Sequence, residues 1–67
     1  MRVANAKWTV KSAKRRLKEL GLTIVSNAQI PYGRQLRTRE GPIVAVYHNG
    51  NVLVQGKRLE LLRGSFG

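Results

Sequence analysis

The sequence predicts an α+β fold in which a four-stranded antiparallel meander carries helices on one face. Three observations favour it: an amphipathic helical pattern near the start, Gly- and Pro-containing breaks between short apolar runs, and an Asn-Gly pair inside a hairpin pattern. The predicted order of elements is α-β-β-β-β-α. A chain of 67 residues suffices for one small domain, which we assign to residues 1–67.

The first predicted element is a helix over residues 9–20. Its apolar residues recur at helical spacing and form one stripe: Val10, Ala13, Leu17 and Leu20. Thr9 is the expected N-cap, and Gly21 is the expected left-handed residue at the C-terminal end. The opposite face carries four cations, Lys11, Lys14, Arg15 and Lys18. Like charges at this spacing repel one another, and an anionic partner would relieve that repulsion.

Two strands are expected next, over residues 22–30 and 34–39, separated by a break around Pro31 and Gly33. The first strand should place its apolar residues on one face: Leu22, Ile24, Ala28 and Ile30. The second strand is arginine-rich, with Arg34, Arg37 and Arg39. Arginine forks bind phosphate in bidentate fashion, but charged residues also protect the edges of sheets, and both interpretations stay open.

The last two strands form a hairpin over residues 42–57. Asn49-Gly50 predicts a two-residue type I′ turn, which places Tyr47 opposite Val52. Both faces of this hairpin then carry aliphatic residues, although a small antiparallel sheet needs only one apolar face. We therefore expect one face to pack under the helix and the other to meet a partner or a second copy of the chain. The pattern does not decide which face is exposed.

Three smaller features complete the chain. Residues 57–63 can form a short second helix, with Leu59 and Leu62 three positions apart. Trp8 is expected to pack against the first turn of the first helix as a hydrophobic staple. Tyr32, in the loop before the second strand, is expected to be exposed and is a candidate for stacking on a nucleobase.

The charge of the chain indicates its partner. Thirteen Lys and Arg residues against three acidic residues give a net charge of +10, above the magnitude of about 2–8 that solubility requires. A strongly basic domain usually binds a polyanion, with nucleic acid as the first expectation. The residues that we expect to contact nucleic acid are Lys11, Lys14, Arg15, Lys18, Arg34, Arg37, Arg39, Val44, Val46, Tyr47 and Lys57.

Several classes of protein are disfavoured by the composition. Without cysteine the chain has neither a disulfide nor a thiolate metal site, and one histidine with three acidic residues leaves little for a metal, so no cofactor is expected. No apolar run approaches the ~20 residues of a membrane span, and the first residues lack a hydrophobic signal region. We therefore expect a cytoplasmic protein without a membrane partner.

The segment 41–57 resembles the N-terminal substrate-binding domain of ribonuclease HIII, which is similar to half of a TATA-box-binding protein. It has an apolar strand that ends in Tyr47, a polar-Gly turn, and then Val-Leu-Val-Gln-Gly-Lys, with Val54 where the family often has Phe. The resemblance implies a half-TATA-binding-protein-like fold whose open concave sheet meets the minor groove of a duplex or an RNA–DNA hybrid. The matching residues are Val44, Val46, Tyr47, Val52, Val54, Gln55 and Lys57. The catalytic domain of that enzyme is absent from the sequence, so the resemblance implies a detached binding module, or a small phage or plasmid protein that reuses the fold, rather than that enzyme.

Two other functions stay open. One is a phage- or plasmid-encoded protein whose basic surface inhibits an acidic host protein. The other is an mRNA interferase toxin similar to the HicA family, which is also small and basic, begins with a helix and carries one catalytic histidine on a strand. His48 is the only plausible general acid or base here. It lies at a hairpin end, however, and the Gly-Ser-His-containing motif of that family is missing.

Overall fold

A computed structural model describes residues 8–66, which form one helix, four strands and a short 3-10 helix. In chain order these are α1 (Val10–Glu19), β1 (Ile24–Ile30), β2 (Gly33–Thr38), β3 (Pro42–Tyr47), β4 (Val52–Gly56) and the 3-10 helix (Leu59–Leu62). The strands make one antiparallel sheet in the order β1-β2-β3-β4. Helix α1 packs against β1 and β3, and the 3-10 helix packs against β3 and β4. The predicted α+β meander with helices on one face is confirmed.

Helix α1 begins and ends where local sequence signals place it. The Thr9 hydroxyl accepts a hydrogen bond from the Ser12 backbone N–H at 3.0 Å, and the Ser12 hydroxyl accepts one from the Thr9 N–H at 2.9 Å. This reciprocal capping box satisfies two donors that the first turn leaves without helical partners. At the other end Gly21 has a φ of +81°, which a glycine adopts without steric cost. Both predicted ends of the helix are confirmed.

The core lies between α1 and the inner face of the sheet, which is the face that α1 covers. Its buried residues are Ala13, Leu17, Leu22, Leu36, Val44, Val46 and Leu62. Val44 is fully buried and Val46 is 2% exposed. The prediction that these two valines contact nucleic acid is therefore wrong, because side chains packed under α1 do not reach a ligand.

The loop between β3 and β4 is not the predicted type I′ turn. The Gly50 N–H donates to the Tyr47 carbonyl oxygen at 2.9 Å, and the Tyr47 N–H donates to the Asn51 carbonyl oxygen at 2.9 Å. Gly50 has a φ of +93°, whereas Asn49 is not in the left-handed region. The connection is therefore a three-residue loop with a glycine in its left-handed position. The Asn49 side chain instead accepts a hydrogen bond from the Asn51 N–H at 3.0 Å.

The longer loop shifts β4 by one residue against β3 relative to the predicted pairing. Val52 lies opposite Val46, and Val54 lies opposite Val44. A one-residue shift exchanges the two faces of a strand. The two valines of β4 therefore pack toward α1, and Leu53 points to the other face of the sheet.

Strand β1 also departs from the predicted alternation. It begins at Ile24 rather than Leu22, and a β-bulge lies between Ile24 and Ser26. Ile24 packs against the core, whereas Ala28 pairs with Gln35 on the opposite face. The expected common face for the apolar residues of this strand is therefore wrong, because the bulge adds one residue and changes the register.

The C-terminal segment closes one side of the core. Leu62 is buried, whereas Leu59 is 37% exposed, so only one member of the expected leucine pair is a core residue. The ring centroids of Trp8 and Phe66 lie 4.5 Å apart. Phe66 therefore packs beside the start of α1. A staple between Trp8 and the first turn stays a prediction.

Glu40 joins the β2–β3 turn to the segment before β1. Its Oε1 accepts a hydrogen bond from the Thr23 N–H at 2.9 Å, and the Arg39 N–H donates to the Thr23 carbonyl oxygen at 2.8 Å. The Thr23 N–H is the main reason why the pKa of Glu40 lies below its ordinary value.

A lowered pKa predicts a loss of stability in acid. The folded state favours the carboxylate, so the contribution of Glu40 is complete at neutral pH and falls as the pH drops through the ordinary value of 4.5 and below. We expect Glu40→Gln to flatten the dependence of the melting temperature on pH between about pH 6 and pH 3. Glu60→Gln is the control, because among residues 8–66 the carboxylate of Glu60 forms a salt bridge only with the exposed Arg58, at 3.8 Å. Equal acid slopes for the wild type and Glu40→Gln would contradict the assignment.

Candidate nucleic-acid interface

The face of the sheet opposite α1, here called the outer face, is covered by no element within residues 8–66. The strand register arranges its side chains in three rows. These rows are Ser26-Arg37-Ile43-Gln55, Ala28-Gln35-Ala45-Leu53, and Ile30-Gly33-Tyr47. The predicted open face therefore exists, and Tyr47 lies on it. Its other β3 members, Ile43 and Ala45, share the face of Tyr47 by alternation along the strand, whereas its β4 members, Leu53 and Gln55, join this face because of the three-residue loop.

The centre of the outer face is shallow and partly apolar. Its middle row contains two alanines and one glutamine, and Ala45 at its centre is only 1% exposed, so larger neighbouring side chains form most of the surface there. Leu53 is 50% exposed, and Ile43 and Tyr47 are half-buried. Such a surface suits a shallow groove, in which apolar side chains contact sugars and base edges. Gln35 adds an amide that can both donate and accept hydrogen bonds.

Three of the predicted cations lie at one end of the sheet, and one of them, Arg37, is on the outer face. Arg37 lies in the first row, opposite Ile43, and its side chain is exposed. Arg39 follows the end of β2, and Lys57 follows the end of β4; both are exposed. A Cβ added to Gly41 would lie 2.9 Å from the Lys57 carbonyl oxygen, so the β2–β3 turn and the end of β4 are adjacent.

These cations form no salt bridge in the described part of the chain, although the charge of Arg39 helps to lower the pKa of the adjacent Glu40. Glu19 pairs with Arg16 at 3.6 Å, and Glu60 pairs with Arg58 at 3.8 Å. The third acid, Glu40, is engaged by the Thr23 N–H. Unpaired cations at the surface are available to an anionic ligand.

Arg34 and the cations of α1 lie elsewhere. Arg34 pairs with Val46 on the inner face, and its Nη1 donates to the Asn27 Oδ1 at 3.2 Å. The predicted cations of the helix are Lys11, Lys14, Arg15 and Lys18; Lys14 is half-buried and the others are exposed. Because α1 covers the inner face, these residues and Arg37 lie on opposite sides of the sheet. The outer face and these helix residues therefore form two separate surfaces, and contact of either with nucleic acid stays a prediction.

Tyr32 and His48 lie together at the end of the sheet where the β1–β2 and β3–β4 loops meet. The Tyr32 side chain is 80% exposed, and its φ of +66° is unusual for an aromatic residue. The His48 N–H donates to the Tyr32 carbonyl oxygen at 2.8 Å, which ties the two turns together. Both residues line a cavity of about 350 Å³ with Tyr47 and Asn49.

Among residues 8–66, no carboxylate lines the two cavities beside His48. The second of these, about 270 Å³ in volume, brings His48 near Arg34 and Tyr47. Among residues 8–66, no three His, Asp or Glu side chains come together where they would hold a metal ion. The same residues contain no helix of sufficient length and apolar character to cross a membrane. The histidine therefore has no acidic partner to orient it, and its catalytic role stays a prediction.

The fold and the site define a small, basic, two-layer α+β protein with one open sheet face. Comparisons with protein-family models, curated proteins and solved structures find no match to the chain. The resemblance to the substrate-binding domain of ribonuclease HIII therefore stays a prediction that rests on residues 41–57.

Proposed function

We propose that this chain is a nucleic-acid-binding module whose outer face contacts a duplex or an RNA–DNA hybrid. The observation that carries the proposal is the combination of an open, shallow sheet face with three unpaired cations at one of its ends. Arg37, Arg39 and Lys57 are these cations. The net charge of +10 supports a polyanionic ligand in general, whereas this arrangement supports a particular surface.

The residues of the outer face divide into two roles. The three cations contact phosphates and fix the position of the nucleic acid without reading its sequence. Leu53, Ile43 and the Tyr47 ring lie against sugars and base edges, while Gln35 exchanges hydrogen bonds with groups in the groove. A-form helices present a wide, shallow minor groove with 2′-hydroxyl groups, which fits this surface.

The cations of α1 act at longer range in this proposal. They raise the positive potential around the whole molecule and so increase the rate of association, but they do not contact the same duplex. Their effect should decline with added salt, because exposed charges are screened beyond about 10 Å at 0.1 M salt.

The test is a titration of the full chain against a labelled RNA–DNA hybrid, duplex DNA and single-stranded RNA, followed by fluorescence anisotropy. We expect binding to the hybrid or the duplex at about 50 mM salt, with a slope of log K against log salt near −3 for three phosphate contacts. Absence of binding to every probe at this salt concentration would refute the proposal.

The same samples test the ribonuclease alternative. We expect the single-stranded RNA to stay intact with the wild type and with His48→Ala. Cleavage that only the wild type performs would instead support the toxin. A pull-down after nuclease treatment tests the inhibitor alternative: retention of one acidic protein would favour inhibition, and loss of all partners would favour nucleic acid.

Tyr32 provides a further prediction. Asparagine tolerates the left-handed conformation, so Tyr32→Asn should relieve about 1 kcal/mol of backbone strain and should not lower the melting temperature. If the ring stacks on a base, the same change should weaken binding of a hybrid with one unpaired base by about tenfold. A fully paired hybrid is the control ligand. Unchanged affinity for the unpaired base would show that Tyr32 has no stacking role.

A further inference from the structure

Strand β1 is an edge strand with little protection against pairing. It spans seven residues, Ile24–Ile30, without a single charged side chain, and residues 25–29 are exposed. Exposed edges usually carry lysine, proline or a covering element, and β1 has only the bulge near its start. The other edge, β4, has five residues and packs against the 3-10 helix. The backbone N–H and C=O groups along β1 are therefore the more accessible row.

A basic groove lies beside the start of this edge. It has a volume of about 530 Å³ and is lined by Lys14, Lys18, Leu22, Thr23 and Ile24. Two lysines one helical turn apart stand at an apolar surface, and neither forms an ion pair with the acidic residues of the described chain. The groove is thus suited to a ligand that has both apolar and negatively charged groups.

We propose that β1 binds an extended acidic peptide as a fifth strand of the sheet. The peptide backbone would pair with the free edge of β1, and alternate side chains would point toward α1. Carboxylates on that side would reach Lys14 and Lys18, and apolar side chains at the alternate positions would point toward the outer face, beside Ala28 and Ile30. This site lies at the helix-covered side of the edge, so the proposal does not depend on nucleic acid binding to the outer face.

Charge and backbone chemistry favour an acidic peptide over other occupants. In a symmetric pairing of two β1 strands, Lys14 and Lys18 of both copies would approach one another, and each chain carries a net charge of +10. Like charges brought together disfavour such a dimer. A nucleic acid would neutralise the lysines, but its phosphates do not complement the carbonyl groups along β1. A peptide satisfies both the donors and the acceptors of the edge.

The probe is a nine-residue peptide of alternating Val and Glu with blocked ends, titrated into the full chain at about 150 mM salt. We expect saturable binding below about 1 mM peptide. Amide hydrogen exchange of alternate residues within 25–29, whose N–H groups face away from β2, should slow at least about tenfold on binding, because these N–H groups gain partners. A peptide of alternating Pro and Glu has the same charge but lacks half of the donors, and it should bind at least about tenfold more weakly.

Two double variants distinguish binding of the peptide in the groove from general electrostatic attraction of the peptide to the basic chain. Lys14→Glu/Lys18→Glu should reduce affinity for the Val-Glu peptide at least about tenfold. Lys11→Glu/Arg15→Glu makes the same change in net charge on the same helix, outside the groove, and should reduce affinity less than about threefold. Circular dichroism establishes that both variants are folded.

Four results would overturn the proposal. The first two are an equal loss of peptide affinity in the two double variants and equal affinity for the Val-Glu and Pro-Glu peptides. The third is unchanged amide hydrogen exchange along β1. The fourth is protection of β1 that depends on protein concentration alone, which would indicate a second copy of the chain. Loss of hybrid binding in Lys14→Glu/Lys18→Glu but not in Lys11→Glu/Arg15→Glu would instead assign the groove to nucleic acid. Failure of hybrid binding in all proteins would refute only the function proposed for the outer face.

Discussion

Replacing Arg37, Arg39 and Lys57 together with glutamine will weaken binding of the RNA–DNA hybrid by about 100-fold at about 100 mM salt. Each exposed contact with phosphate should contribute about 1 kcal/mol, below the range for buried hydrogen bonds to charged groups. Three such contacts give about 3 kcal/mol, which corresponds to about two decades in affinity. The slope of log K against log salt should also become less negative by about 3.

The helix supplies a matched control for this variant. Lys11→Gln/Arg15→Gln/Lys18→Gln removes the same number of positive charges, but from helix α1, which lies on the other side of the sheet. We expect this protein to bind the hybrid within about fivefold of the wild type, because its charges act only through the long-range potential. Equal losses in the two triple variants would show that the total charge attracts nucleic acid and that the outer face is not the site.

Local signals were sufficient to predict α1. The cap at Thr9, the apolar stripe and the left-handed Gly21 all act within the helix or one turn beyond it, and each is present. The order of the four strands followed from the Gly and Pro breaks, since short connections in an antiparallel meander leave few other topologies. The general architecture could therefore be predicted without knowledge of distant contacts.

The register of the last hairpin could not be predicted in the same way. An Asn-Gly pair fits both a two-residue turn and a three-residue loop, and the two choices differ in which face each β4 residue joins. Contacts from distant parts of the chain accompany the observed loop: the Trp8 N–H donates to the Gly50 carbonyl oxygen at 3.1 Å, and the His48 N–H donates to that of Tyr32. The sequence of residues 42–57 does not predict either contact, because Trp8 and Tyr32 lie outside this segment.

Only part of the candidate site could be predicted from the sequence, because the rest depends on the same long-range contacts. Exposure of the cations follows from their chemistry, and Arg37, Arg39 and Lys57 are exposed. Their grouping, however, depends on which layer each element joins. The apolar members Ile43 and Leu53 were missed as site residues because the predicted turn put them on opposite faces. A three-residue loop places both on the same face of the sheet, but the sequence pattern does not decide that this face is the exposed one.

Close contact between β2 and β3 gives the second large effect, at Gly33. This residue lies opposite Tyr47, and a Cβ at this position would overlap the Val46 carbonyl oxygen and lie 2.9 Å from the Tyr47 Cα. The obstructing atoms belong to the backbone, so a change of rotamer does not relieve the overlap. Gly33→Ala must therefore separate the two central strands, which we expect to cost about 3 kcal/mol or more.

Such a loss is large for a domain of this size, in which the total stability is about 3–5 kcal/mol. Urea denaturation followed by circular dichroism should find Gly33→Ala mostly unfolded at 25 °C. Gly21→Ala is the control: its φ of +81° imposes strain of about 1 kcal/mol, but no atom lies within 4 Å of the added Cβ. Similar denaturation midpoints for the two variants would contradict the close approach of β2 and β3. A much lower midpoint for Gly33→Ala would show that β2 and β3, the strands that carry Arg37 and Tyr47, pair this closely only when residue 33 has no side chain.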